Sequence, residues 1–193
     1  MANLGSMRDK LQGLPNKLTL ARIAVIPLLL LIYPARPDKF NVFCSIVFAA
    51  GMITDLLDGY LARRYQLVTP LGALLDPIAD KMLIATSLVM LAAAGKAPAF
   101  IAGLLIARDI GVNGIRLVAL EEGRSIEVSD FGKWKTAVMG LSIFCLFYQD
   151  SLFGISCRAA GIVLLWASLI LSLYSAWLYG RAYLATGQNP PAT

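Results

Sequence analysis

Apolar residues run through this chain in six long blocks, near 18–33, 40–61, 71–94, 97–120, 134–150 and 159–184, separated by short polar stretches. A helix needs about 20 mostly apolar residues to cross the hydrocarbon of a bilayer, and each block approaches or exceeds that length. The blocks are far longer than the alternating segments of an outer-membrane barrel, so strands are not expected. The pattern predicts an all-α integral membrane protein, a bundle of six transmembrane helices filling residues 18–185. The first block is short and carries Arg22. It has the look of a signal sequence, but no A-x-A-like cleavage site follows, so it is expected to persist as the first span.

Smaller features punctuate the blocks. Leu4, Met7, Leu11 and Leu14 recur at helical spacing among Arg8, Asp9, Lys10 and Gln12. That stripe suits a short helix lying in the membrane interface over residues 1–17. Gly5 and Gly13 weaken such a helix, which leaves a frayed terminus as the alternative. Pro15 reads as a break before the first span, and Pro34 and Pro37 mark the next loop. Thr69-Pro70 reads as an N-cap followed by proline at the first helical position. Residues 186–193 hold two prolines and no apolar run, the composition of a disordered tail. Neither an internal repeat nor a second domain is visible.

Composition agrees with lipid as the solvent. Of the 193 residues 58% are hydrophobic and 15% charged, too few charges to cover a soluble domain of this size. With the N-terminus inside, the inner segments carry Arg8, Lys10, Lys17, Arg63, Arg64, Arg124, Lys133, Lys135 and Arg181. The outer loops carry only Arg36, Lys39, Lys96 and Arg158. That asymmetry places both termini in the cytoplasm. The net charge of +5 therefore reflects topology and attraction to anionic lipid heads, not a nucleic-acid footprint. Cys44, Cys145 and Cys157 lack metal-ligand spacing and read as small buried hydrophobes. The absence of histidine excludes His-based triads and leaves acid–base work to carboxylates, Lys or Tyr.

Charge inside these blocks is expensive, roughly 2.5–3.5 kcal/mol per residue at the bilayer centre on insertion scales. Yet Asp55, Asp58, Asp76 and Asp80 cluster at the end of the second block and the start of the third. At about 100° per residue, Asp55, Asp58, Gly59 and Ala62 share one helix face, with Arg63 at its margin. Gly72, Asp76 and Asp80 fall four apart on the next helix. A short connection makes the two helices antiparallel neighbours whose acidic faces can meet. Converging carboxylates repel unless protonated or bridged by a cation, and oxygen-only donors suit Mg²⁺ or Mn²⁺. Gly59, Ala62 and Gly72 leave room beside that cation for a flat or bulky group. Salt bridges to Arg63, Arg64 and Lys81 would be the structural alternative, but buried ion pairs seldom repay their desolvation. Lys81, about 100° round the helix from Asp80, reads as a structural or snorkelling residue.

The run Asp55-x2-Asp58-Gly59-x2-Ala62-Arg63-x8-Gly72-x3-Asp76-x3-Asp80 resembles the signature of the CDP-alcohol phosphotransferases. The resemblance implies a six-helix membrane fold, usually dimeric, in a bacterial-type inner membrane with the active site at the cytoplasmic face. It implies that the four aspartates bind a one- or two-metal centre, two ions of Mg²⁺ or Mn²⁺ being expected. It further implies that Asp58, Gly59, Ala62, Arg63 and Gly72 hold the CDP moiety and that Asp80 is the general base.

Outside the signature, Leu14-Pro15-Asn16-Lys17-Leu18-Thr19 with Arg22, the run Leu75 to Lys81, and the stretch from Arg108-Asp109 through Arg116 to Gly132-Lys133-x-Lys135-Thr136 are similar to the phosphatidylglycerophosphate synthase branch of that family. There the residue after Arg108 is usually Glu; here Asp109 keeps the charge with a shorter reach. The implied donor is CDP-diacylglycerol and the implied acceptor glycerol 3-phosphate. Asn16, Thr19, Arg22 and Lys133 join the candidate site on this resemblance. A phosphorylated acceptor needs fixed cations, and Arg108, Arg116 and Lys135 are the candidates. Lys133 and Lys135 also suit the positive-inside pattern. Other acceptors (inositol phosphate, serine, or phosphatidylglycerol as in a cardiolipin synthase) stay open. An Asp-rich membrane prenyltransferase would need two separated acidic motifs, and a cation transporter gives the small residues no role.

Overall fold

Each apolar block forms one helix, in which the backbone satisfies its own hydrogen bonds. The computed structural model describes residues 14–33, 39–65, 70–122, 131–152 and 154–187, with side chains described at 23–33, 39–54, 78–122, 134–152 and 154–185. The helices are α1 (Leu14–Ile32), α2 (Asn41–Tyr65), α3 (Pro70–Ala93), α4 (Ala99–Glu121), α5 (Phe131–Tyr148) and α6 (Cys157–Gly187). The expected interfacial helix before Leu14 and the tail beyond Gly187 lie outside the described residues.

Two boundaries differ from expectation. Helix α1 already begins at Leu14, so Pro15 opens the helix and does not break it. Proline is tolerated there because the first N–H groups of a helix have no intrahelical acceptor to lose. Helix α6 runs on through Thr186 and Gly187, into the stretch expected to be disordered. The chain is all-α as expected, with one small addition. Between α5 and α6 the chain forms a small hairpin, β1 (Ser151–Leu152) paired antiparallel with β2 (Ile155–Ser156). Gly154, at φ +79°, supplies the left-handed turn residue. Two-residue strands are too short to leave a period-two signal in the sequence.

The α3–α4 connection is tighter still. Gly95 adopts φ +69°, the Gly95 N–H donates to Ala92 O at 3.0 Å, and Lys96 N–H donates to Leu91 O at 2.8 Å. This is a Schellman cap, which satisfies the last carbonyls of α3 and turns the chain into Pro98 and α4.

Helices α5 and α6 pack most extensively; α2 contacts α1, α3 and α5, and α4 rests on α3 and α6. The α2–α3 contact fits the expectation that these two are neighbours. Close approach of α5 and α6 depends on Gly161, where a Cβ would stand 2.8 Å from Leu146 Cγ. Ser142 Oγ donates across the same seam to Gly161 O at 2.7 Å.

Polar and apolar residues are distributed unevenly between the interior and the exterior of the bundle. Ser45, Ser87, Ser142, Ser168 and Ser172 are completely buried, while Leu31, Ile46, Ile110, Leu117, Val163 and Ile170 face outward. Small polar residues between helices and large apolar ones outside are compatible with membrane packing. Among the described residues one helix, Cys157–Ala185, is by itself long and apolar enough to cross a membrane. Helices α2 to α4 reach 23–25 residues but carry the charged residues discussed next. Cys44, Cys145 and Cys157 are buried thiols, as their setting in the apolar blocks suggests.

Candidate active site

The helices assemble the candidate residues at one end of the bundle. Lys96, just past α3, reaches Asn41 at the start of α2, which defines the opposite end. The C-terminal half of α2 and the N-terminal half of α3 therefore point away from it. Asp55, Asp58, Gly59, Ala62 and Arg63 lie on uninterrupted α2, and Gly72, Asp76 and Asp80 on α3. Asn16, Thr19 and Arg22 occupy the first turns of α1, and Lys133 the first turn of α5. Of all these, Asp80 is the one whose side chain is described; the others have a helix position only.

Asp80 is half-buried and close enough to Lys81 and Lys135 to interact with both charges. For Lys81 the structure favours the structural of the two roles read from sequence. Its ammonium does not snorkel outward but donates to Asn113 Oδ1 on α4. Lys81, Asp109, Asn113 and Arg116 form the polar part of a cavity of about 550 Å³ between α3 and α4. Ile84, Leu88, Leu105 and Met139 make its apolar part.

Arg108, Arg116 and Lys135 take different places. Arg116 lines the cavity. Arg108 does not pair with it there: its Nε donates to the Ser172 carbonyl on α6 at 2.8 Å and its Nη1 to Asp109 Oδ1 at 2.9 Å. The two arginines are about 80° apart on α4, enough to send Arg108 toward α6 while Arg116 faces α3. Lys135 is buried and donates to the same Asp109 Oδ1 at 2.5 Å.

Asp109 and Asn113 were not singled out as site residues from sequence. A signal for them existed, because Asp109, Asn113 and Arg116 follow i, i+4, i+7 spacing and share one face of α4. Among the described residues the cations Lys81, Arg108, Arg116 and Lys135 outnumber the carboxylates Asp80 and Asp109 two to one. Cations gathered beside a cavity can meet the charge of an anionic group.

Comparison with known proteins follows the same lines. The family model for CDP-alcohol phosphatidyltransferase matches residues 12–174. A CDP-diacylglycerol–glycerol-3-phosphate 3-phosphatidyltransferase of Bacillus subtilis is 33% identical, covering 86% of this chain and 93% of its own. One of Rickettsia bellii is 35% identical, over 89% and 95% of the two chains. A cardiolipin synthase (CMP-forming) of Oryza sativa subsp. japonica is 32% identical over 89% of this chain and 57% of its own length. A match that runs through five of the six helices and contains the whole aspartate signature assigns the protein: the chain belongs to the CDP-alcohol phosphatidyltransferase family.

Proposed function

We propose that this protein transfers the phosphatidyl group of CDP-diacylglycerol to glycerol 3-phosphate, releasing CMP and forming phosphatidylglycerophosphate. The observation that carries this reading is the cation-rich cluster of Lys81, Arg116 and Lys135 beside Asp80. A phosphate on the acceptor gives these cations a partner that a neutral alcohol does not. Two relatives named for this reaction match nearly full length.

Asp55, Asp58, Asp76 and Asp80 offer carboxylate oxygens alone, a donor set that fits Mg²⁺ or Mn²⁺, with two ions expected. When bound, such ions offset diphosphate charge and make CMP a better leaving group. Asp58, Gly59, Ala62, Arg63 and Gly72 hold the CDP moiety. Asp80 accepts the proton of the acceptor hydroxyl, whose oxygen attacks the β-phosphorus in line. Arg116 and Lys135 hold the acceptor phosphate; Arg108 supports them from behind Asp109. Asn16, Thr19, Arg22 and Lys133 border the site on α1 and α5.

The apolar exterior supports six spans in a bacterial-type inner membrane, with both termini and the active site cytoplasmic. Membrane lipids surround the bundle, and a homodimer is the assembly the family resemblance implies. The match to a plant cardiolipin synthase favours one second reading, phosphatidylglycerol as acceptor.

The test is CMP release by the purified chain from CDP-diacylglycerol with a panel of alcohols. Release should require Mg²⁺ or Mn²⁺, stop on chelation, and be fastest with glycerol 3-phosphate. Turnover with phosphatidylglycerol, serine or inositol phosphate but not glycerol 3-phosphate would replace the acceptor.

A further inference from the structure

We infer that Asp109 is a positioning residue, which sets the reading of the acceptor phosphate by holding the Lys135 ammonium in place. A single oxygen, Asp109 Oδ1, accepts from Arg108 Nη1 at 2.9 Å and from Lys135 Nζ at 2.5 Å. Arg108 in turn is fixed by the Ser172 carbonyl at 2.8 Å. The carboxylate thus joins α6, α4 and α5 through one chain of charge-assisted bonds, the stronger kind of hydrogen bond. The Arg108 and Lys135 side chains are each only 9% exposed, against 20% for Asp109, which also lines the cavity.

Asp109 repels an anionic substrate, so its contribution to binding acts through the cations it holds. Lysine carries a flexible four-carbon stem and gives up much rotamer freedom when its head is fixed. A buried carboxylate at hydrogen-bond distance fixes that head before substrate arrives, which removes an ordering cost from binding. Without Asp109, two cations on different helices would lose their shared counter-charge and move apart. Lys135 would then no longer stand near both Asp80 and the cavity.

This inference rests on the acceptor reading above, and the experiment keeps the two apart. Steady-state CMP release is measured for the full chain in detergent, varying glycerol 3-phosphate at saturating CDP-diacylglycerol and then the reverse. The variants are Asp109→Asn, Lys135→Met, the double variant and Asp109→Glu. Asp109→Asn and Lys135→Met should each raise the acceptor KM about tenfold and change the donor KM by less than about twofold. The double variant should be no worse than Lys135→Met alone, because both remove the same interaction. Asp109→Glu should lie between wild type and Asp109→Asn.

Multiplying effects in the double variant, or equal shifts in donor and acceptor KM, would overturn the inference. If Asp109→Asn does not yield folded protein by thermal melting, Asp109→Glu decides: an acceptor KM raised alone supports positioning, and one unchanged or raised together with the donor KM refutes it. Wild-type enzyme that uses another alcohol overturns only the acceptor reading. The same series is then run with that alcohol, and loss of Asp109–Lys135 coupling there refutes the inference as well.

Discussion

Both ends of this bundle bury a lysine, and they do so by different chemistry. At one end Lys96, 8% exposed, donates to the Asn41 amide at 2.6 Å and lies over the Tyr33 ring at 5.2 Å. Tyr33 packs edge-on against Phe147, which meets Phe48. At the other end Lys135 meets the Asp109 carboxylate, with Arg108, Lys81 and Asp80 close by and a cavity beside them. An amide and an aromatic face hold a cation without adding charge. That arrangement ties the ends of α1, α2 and α3 together. At the other end the cations stand beside carboxylates and a cavity, where an anionic ligand can reach them. Burial of a charge therefore says little about its role; the neighbours that share its field decide it.

The comparison predicts that the two ends fail in opposite ways. The largest effect is expected for Asp80→Asn. Loss of a general base should lower kcat about a thousandfold, within the range of acid–base contributions. Binding of CDP-diacylglycerol, followed separately, should change by less than about threefold. Near-normal turnover by this variant would remove Asp80 from the proton transfer.

Arg116→Ala comes next. It should raise the KM for glycerol 3-phosphate about tenfold or more while the donor KM moves little. Equal changes in both constants would place Arg116 on the CDP-lipid instead.

The smallest effect on turnover is expected from Lys96→Met, whose cost falls on stability. Loss of the ring contact and the amide bond should amount to about 1–2 kcal/mol, seen as a melting temperature a few degrees lower in detergent. The kinetic constants should stay within about twofold of wild type. A selective change in acceptor KM would mean that the two ends are coupled and would break the comparison.

What was legible in the sequence follows local rules. Block lengths predicted the helices because each residue advances a helix by a fixed rise and turn. The i, i+4 register of Asp76 and Asp80 needed nothing beyond that geometry. Pro15 was misread because proline marks both the end of one segment and the first turn of the next. Lys96 counted in the sequence as an outer-loop cation like Arg158; burial at the end of α3 separates them, since Arg158 is exposed. The different partners of Arg108 and Arg116 were hidden for a related reason. A shared helix face within 80° narrows where two side chains point but does not choose their partners, and α6 captured one of them.

The sequence by itself determined the helices and the single continuous run of carboxylates and small residues that resembles the family signature. Those are matters of local periodicity and composition. The tertiary structure decided which charges meet. Lys135 finds Asp109 across 26 residues, Lys81 finds Asn113 across 32, Lys96 finds Asn41 across 55 and Arg108 finds Ser172 across 64. Each pairing joins groups from different parts of the fold, and the relative rotation of the helices is set by packing such as the Gly161 contact between α5 and α6. No periodicity within one helix encodes that rotation, so the partners of the buried cations became visible only once the helices were assembled.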